Sequence, residues 1–356
     1  MVASMDWKRI THPFRHPQPQ PTQTGVLGEG KWVSGSASST TDLRKYKLWV
    51  PASHDPELAS PLLVMLHGCR QKPDDLAGIS GMNAVADRNN FLVAYPEQTL
   101  SANLMRCWNW FEPKHQSRGA GEPAVLAGVI EQVSASYKVD CNCVYAAGIS
   151  AGGAMAVILG VTYPDLISAV GVVAGMEYRA APGMTEGLAA MKHGGPDPEQ
   201  QGRAAFEAMS EGLEARPRHR VPVIVFQGDA DRFVNPVNAS QIISQWARTN
   251  QCLNGHSKQQ GMLAEAATRG RVPGGRSFEK CAYKDGAGRP LMEKWMVEGM
   301  GHAWPGSPAE ADYADPKGPN ASQEMWRFFC ETAGEPLGEA HGSLWDRLRH
   351  LLPGTH

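Results

Sequence analysis

Short apolar runs set the rhythm of this chain. Leu62-Leu63-Val64-Met65-Leu66, Phe91-Leu92-Val93-Ala94-Tyr95, Val144-Tyr145-Ala146-Ala147, the stretch 168–174 and Val221-Pro222-Val223-Ile224-Val225-Phe226 are apolar on successive residues rather than on alternate ones. Runs of that length predict strands buried on both faces, as in a parallel sheet. Helical patterns lie between them, at about Leu76 to Arg88, Glu122 to Tyr137, Ala154 to Leu159 and Val237 to Thr249. This alternation predicts the α/β class, with a mostly parallel central sheet and helices on both faces. Arg44-Lys45-Tyr46-Lys47-Leu48-Trp49-Val50 alternates instead, as an edge strand does. Residues 277–284 and 291–297 read as two strands around the turn Asp285-Gly286-Ala287-Gly288, and a last helix is expected from about Ser322 to Thr332.

The rhythm breaks in three places. Residues 1–40 are rich in Pro, Gln, Ser, Thr and Gly, which predicts a flexible N-terminal segment. Residues 176–217 carry Met, Ala and Gly without a strand pattern, which predicts a helical insertion or cap over the site. The tail 333–356 places Leu344, Trp345, Leu348, Leu351 and Leu352 at helical spacing, a short amphipathic helix expected to pack on its own domain or a neighbouring subunit. A single catalytic domain is therefore expected over 41–332.

Composition removes several function classes. The 356 residues carry a net charge of −2, so no basic field points to nucleic acid. No apolar run is long enough to span a bilayer. The start Met1-Val2-Ala3-Ser4-Met5-Asp6-Trp7-Lys8 has no apolar signal core, so a cytoplasmic location is the default, or an extracellular one if the start is trimmed. The seven cysteines show no Cys-x-x-Cys or His/Cys cluster of zinc type, so no metal is expected.

Candidate chemistry centres on Gly148-Ile149-Ser150-Ala151-Gly152-Gly153. An apolar run enters this Gly-x-Ser-x-Gly turn and a small-residue helix leaves it. A sharp strand–turn–helix lifts the serine hydroxyl above the sheet edge and aims the N–H of the next residue, Ala151, at an oxyanion. A serine nucleophile needs a base, and the base an orienting acid, in the chain order Ser, Asp or Glu, His for this fold. Asp229 and Asp231 sit just past a sheet strand, and Asp231 is preferred because an acid a few residues into its loop can reach back. His302, in Gly299-Met300-Gly301-His302, follows the next strand. His193 and His256 follow no strand and read as surface residues. His67-Gly68-Cys69 ends a buried strand upstream, where a second oxyanion N–H is expected, that of Cys69.

These residues belong to a longer set: His67-Gly68-Cys69-Arg70-Gln71, Tyr95-Pro96-Glu97-Gln98, Cys107-Trp108-Asn109-Trp110-Phe111, Arg118-Gly119-Ala120-Gly121-Glu122, Gly148 to Gly152, Gly228-Asp229-Ala230-Asp231-Arg232-Phe233-Val234 and Gly301-His302-Ala303-Trp304-Pro305-Gly306. The set resembles the poly(3-hydroxybutyrate) depolymerase family of esterases, which also holds feruloyl and acetyl-xylan-type esterases. The resemblance implies an α/β-hydrolase fold and a serine esterase needing no cofactor, with Ser150 as nucleophile, Asp231 as acid and His302 as base. The substrate is expected to be a small-molecule or polymeric ester. His67, Trp108, Trp110 and Trp304 are expected at the substrate pocket. A serine peptidase of the same fold remains the alternative. The resemblance also implies a Cys69–Cys107 bridge, against which stand two reduced thiols, and leaves Cys252–Cys281 as a further pairing. Only a short tail follows residue 332, where depolymerases that attack solid polymer often add a linker and binding domain, so soluble oligomers and short-chain esters are expected to react faster than crystalline polymer.

Overall fold

The apolar runs form the middle of one large sheet. A computed structural model of the chain describes residues 29–38, 43–211, 213, 220–253, 263–264 and 267–333. The expectations placed on 1–28, on His256 and on the tail beyond 333 lie outside the described residues. In chain order the elements are β1 (Lys31–Ser38), β2 (Leu43–Val50), β3 (Ser60–Leu66), α1 (Pro73–Ser80), α2 (Met82–Asn89), β4 (Leu92–Pro96), α3 (Gly121–Ser136), β5 (Val139–Ile149), α4 (Ala151–Thr162) and β6 (Ala169–Val173). There follow α5 (Met184–His193), α6 (Pro198–Ala208), β7 (Val223–Gly228), α7 (Val237–Leu253), β8 (Leu263–Ala264), β9 (Thr268–Arg271), β10 (Ser277–Lys284), β11 (Pro290–Val297), β12 (Trp304–Pro305), β13 (Ala314–Asp315) and α8 (Ala321–Thr332).

The large sheet runs β1-β2-β4-β3-β5-β6-β7-β11-β10-β8, with β9 beside β10. From β4 through β3, β5, β6 and β7 to β11 every neighbour is parallel; β2 joins β4, and β10 joins β11, antiparallel. Side-chain parity sorts the core into two layers, because successive strand residues face opposite ways. Leu62, Val64, Leu66, Val144 and Ala146 pack with Leu126 of α3, Met155 of α4 and Trp246 of α7. Leu63, Met65, Tyr145, Ala147 and Ile149 pack with Leu76 of α1, Val85 of α2 and Phe328 of α8. Each fully buried Leu, Val or Phe contributes ~1.5–3 kcal/mol, which explains why the central strands show no polar alternation. The fold is the α/β hydrolase.

Two expectations need correction. Residues 31–38 belong to the sheet rather than to a flexible lead: β1 pairs antiparallel with β2 along its whole length. Its Ser and Gly content hides it, yet Gly35 lies so close under the Tyr46 ring that a Cβ there would sit 2.3 Å from it. The single helix read from Leu76 to Arg88 is two, broken at Gly81, whose φ of +60° disfavours any residue with a Cβ.

The segment 176–217 contains α5 and α6. Thr249 Oγ1 of α7 donates to the Gly202 carbonyl of α6 at 3.0 Å. Helix α5 lies between two loops at the C-terminal edge of the sheet. Its Gly187 faces Trp110 and Phe111, and its Met191 carbonyl accepts from the Asn235 N–H at 2.7 Å.

Candidate active site

The parallel strands end together. Ile149 pairs with Val173, Val173 with Phe226 and Phe226 with Trp295, so one row crosses β5, β6, β7 and β11. Ser150 is the next residue after that row on β5. Asp231 and His302 lie a few residues beyond it, past β7 and β11. All three loops leave the same edge.

Ser150 has φ 59° and ψ −124° and is the N-cap of α4. Holding a non-glycine residue at positive φ costs ~1–3 kcal/mol and persists only where the surroundings fix it. Here the Ser150 N–H donates to the Val173 carbonyl at 2.9 Å and its carbonyl accepts from Ala154 at 3.0 Å. The flanking glycines permit the approach: a Cβ on Gly152 would fall 2.0 Å from the Leu66 carbonyl oxygen, and one on Gly148 2.5 Å from the backbone of Gly152. Only glycine lets helix, elbow and β3 meet this closely.

Asp231 and His302 are joined. His302 Nδ1 lies 2.7 Å from Asp231 Oδ2, which also accepts from Gln227 Nε2 at 3.0 Å, while Oδ1 accepts the N–H of Phe233 and Val234 at 2.8 and 2.9 Å. Burial pushes the Asp231 carboxyl up, but the bonds from His302, Val234 and Phe233 outweigh it and hold the group below its usual value. An ionised carboxylate only accepts, so Nδ1 donates to it and Nε2 is the nitrogen turned away from the pair. Asp229 does other work: its Oδ1 accepts the Gly299 N–H at 2.6 Å, and the Ala230 N–H donates to the Met300 carbonyl at 3.1 Å, locking the aspartate loop to the histidine loop.

The loop after β3 reaches the elbow. A Cβ on Gly68 would sit 3.5 Å from that of Ser150. The Gly68 N–H is taken by Gln71 Oε1 at 2.8 Å and the Arg70 N–H by the Met105 carbonyl at 2.7 Å; among the described residues the Cys69 N–H between them has no acceptor. The Ala151 N–H, first in α4, belongs to the turn whose amides have no intrahelical partner. Cys69 is bridged to Cys107, as the resemblance implied. Cys252 and Cys281 are not bridged: α7, which carries Cys252, packs on β7 and β11 and stops one strand short of β10, which carries Cys281.

The aromatic expectations fare differently. His67 is wholly buried; Nδ1 bonds the Gly68 carbonyl at 2.8 Å and Nε2 accepts the Gln98 N–H at 3.0 Å, so neither nitrogen is left for substrate. Burial pushes its pKa down to about 4, against the pull of the Gly68 carbonyl, and the ring stays neutral near pH 7. Trp304 is buried against α8, with its N–H on Ser322 Oγ at 3.1 Å. Trp108 and Trp110 are buried in the opposite layer, beneath the surface rather than on it. The rings beside the histidine are others: Phe233 is 60% exposed with its ring centroid 5.5 Å from that of His302, and the half-buried Tyr313 ring has its centroid at 6.0 Å. Phe233 was visible in the Gly228–Val234 motif; nothing around Tyr313 marked it. Among the described residues no His, Cys, Asp and Glu are grouped as for a metal, and no helix is long and apolar enough to cross a membrane.

Ser150 on its left-handed elbow and the Asp231–His302 carboxylate–imidazole pair thus sit on loops that leave one edge of an α/β-hydrolase sheet. The profile of the family described as "Esterase PHB depolymerase" matches residues 44–272, and the chain belongs to that family. It is 30% identical over 250 residues to a poly(3-hydroxyalkanoate) depolymerase C of Paucimonas lemoignei, a match covering 70% of this chain and 56% of that protein. It is 25% identical over 235 residues to a feruloyl esterase B of Neurospora crassa, covering 63% of this chain and 76% of that one. Thus the chain spans little more than half of the bacterial depolymerase. Among solved structures, an acetyl xylan esterase from Aspergillus awamori shares the fold with a TM-score of 0.64 at 18% identity, over 84% of this chain and 99% of that one.

Proposed function

We propose that the protein is a serine esterase working through an acyl-enzyme, and that its substrates are polyhydroxyalkanoate-type oligoesters and short-chain esters. Ser150 Oγ attacks the ester carbonyl carbon as its proton passes to His302 Nε2. The carbonyl π electrons move to oxygen, and that alkoxide is held by the N–H groups of Cys69 and Ala151. Asp231 fixes the imidazole tautomer and stabilises the imidazolium. Collapse expels the alcohol, which takes the proton from His302. Water, deprotonated by His302, then attacks the acyl carbon, and the carboxylic acid leaves as Ser150 regains its proton. Phe233 and Tyr313 form an apolar rim suited to an acyl or alcohol chain.

The observation that carries this reading is the 2.7 Å bond from His302 Nδ1 to a carboxylate that already accepts three other donors, which leaves Nε2 as the base. The depolymerase relative at 30% identity favours hydroxyalkanoate esters. The feruloyl esterase relative supports a second reading, an esterase of plant-polysaccharide side groups. A panel of 3-hydroxybutyrate oligomers, feruloyl esters, acetylated xylan and aminoacyl nitroanilides separates the choices. The oligomers are expected to give the highest kcat/KM. Preference for feruloyl or acetyl groups would move the substrate to polysaccharide, and cleavage of the nitroanilides alone would make the protein a peptidase.

A further inference from the structure

Three motifs of the sequence, those ending or centred on Gln98, Asn109 and Glu122, have no role in the chemistry above. They meet below the loop after β3. Glu122, in the first turn of α3, is wholly buried. Its Oε1 accepts from Gln98 Nε2 at 2.5 Å and Asn109 Nδ2 at 2.7 Å, and its Oε2 from the Asn109 N–H at 2.7 Å. Arg44 Nη2 stands 3.8 Å away. The amide groups cannot be turned round. Gln98 Nε2 also donates to the Cys107 carbonyl at 2.9 Å, and Asn109 Oδ1 accepts from Asn103 Nδ2 at 2.8 Å. Both carboxylate oxygens are therefore met by donors only.

From Glu122 the bonds lead to the oxyanion loop by two routes. One runs through Gln98, whose N–H meets His67 Nε2 at 3.0 Å, and His67 Nδ1 then bonds the Gly68 carbonyl at 2.8 Å. The other runs through the Cys107 carbonyl held by Gln98, and Cys107 is bridged to Cys69 itself. Cys69 is thus gripped on its chain side by His67–Gly68 and on its side chain by Cys107, and both grips converge on one carboxylate. A buried carboxylate at a helix N-terminus with three donors is a fixed anchor, because moving any partner leaves a buried polar group unpaired.

We infer that Glu122 is a positioning residue for ester hydrolysis, acting through Gln98, His67 and the Cys69–Cys107 bridge to keep the Cys69 N–H aimed at the alkoxide formed on Ser150. This rests on the serine-esterase reading. Because the alkoxide exists only in and around the transition state, the loss on disturbing the anchor falls on kcat and not on KM. Removing an oxyanion donor outright costs about 10²–10³-fold, so displacing one is expected to cost about 10–100-fold.

The test compares the parent, Glu122→Gln, Gln98→Met and Ser150→Ala on p-nitrophenyl butyrate, with thermal melting and inhibition by butylboronic acid, whose serine adduct places an oxygen where the alkoxide sits. Glu122→Gln puts an amide N–H against a donor. Gln98→Met cuts the side-chain link while leaving the Gln98 N–H on His67. Expected are a kcat about 10–100-fold lower in Glu122→Gln and about 3–30-fold lower in Gln98→Met, with KM within twofold and boronic-acid affinity weakened by the same factor as kcat. A folded Glu122→Gln with kcat within twofold of the parent overturns the inference, as does a kcat loss with unchanged boronic-acid affinity. If Glu122→Gln does not melt cooperatively, Gln98→Met decides by the same criteria. Ser150→Ala separates the two levels: turnover retained there removes the serine reading itself, whereas an inactive Ser150→Ala beside fully active Glu122→Gln and Gln98→Met removes the positioning role alone.

Discussion

Glu177 gives a prediction whose size follows from its surroundings. It lies in the loop after β6, only 2% exposed, with Gly195 against its carboxyl group, and among the described residues neither oxygen has a hydrogen-bond partner. Burial, with the Asp197 charge adding to it, raises its pKa from 4.5 to about 8. The folded protein therefore holds a proton there that the unfolded chain releases above pH 4.5. Stability conferred by that proton is complete below about pH 4.5 and is lost as pH rises toward 8. At 1.36 kcal/mol per unit, the loss between pH 5 and pH 8 amounts to about 3–4 kcal/mol. Glu177→Gln keeps the shape and cannot ionise. Any cost of burying its amide is the same at both pH values, so it cancels when the two are subtracted. Asp231 is held below its usual value and stays ionised throughout this window, and the histidines are common to both proteins. Urea unfolding of parent and variant at pH 5 and pH 8 should show the variant gaining about 3–4 kcal/mol on the parent as pH rises. A change below about 0.5 kcal/mol would show that Glu177 is solvated or paired, and would refute the reasoning.

Other expected outcomes follow from single contacts. Asp231→Asn should lower kcat by about 10³–10⁴-fold on p-nitrophenyl butyrate, while Asp229→Asn, which keeps an oxygen for the Gly299 N–H, should stay within about tenfold; equal losses would contradict the assignment. Gly152→Ala drives a Cβ to 2.0 Å from a backbone oxygen and should abolish soluble, cooperatively melting protein; Gly78→Ala, in α1 with nothing within 4 Å of the added carbon, should raise stability by about 0.5–1 kcal/mol in urea titrations. Replacing Cys69 and Cys107 together by Ser opens a link between residues 38 apart and should cost up to about 4 kcal/mol, read as a lower denaturation midpoint that added reductant no longer shifts.

The parts of this molecule visible in the sequence are those fixed by local spacing. Gly148-Ile149-Ser150-Ala151-Gly152 encodes its own elbow, because only small residues fit where helix and strands meet. The central strands announce themselves since both faces are buried and no polar residue interrupts them. Reach along the loop favoured Asp231 over Asp229, and it is Asp231 that bonds His302 while Asp229 bonds Gly299. What stayed hidden depends on partners distant in sequence. Lys31–Ser38 looks like linker until Leu43–Val50 pairs with it and Tyr46 covers Gly35. His67 and Trp304 were expected at the substrate pocket, but their ring nitrogens are taken by Gln98, Gly68 and Ser322, partners that no local spacing announces. Glu122 shows no periodic signal for its role, which exists only once Gln98 and Asn109 are folded onto it.

The central claim is that Ser150 is the nucleophile, and the site of covalent labelling tests it most directly. The protein is incubated with diethyl p-nitrophenyl phosphate, its residual esterase activity is followed, and the label is mapped by peptide mass. One phosphoryl group per chain is expected, on the peptide containing Ser150, with activity falling in proportion to labelling and no label taken by Ser150→Ala. Full activity after complete labelling, or a label carried by another residue as activity disappears, would contradict the account.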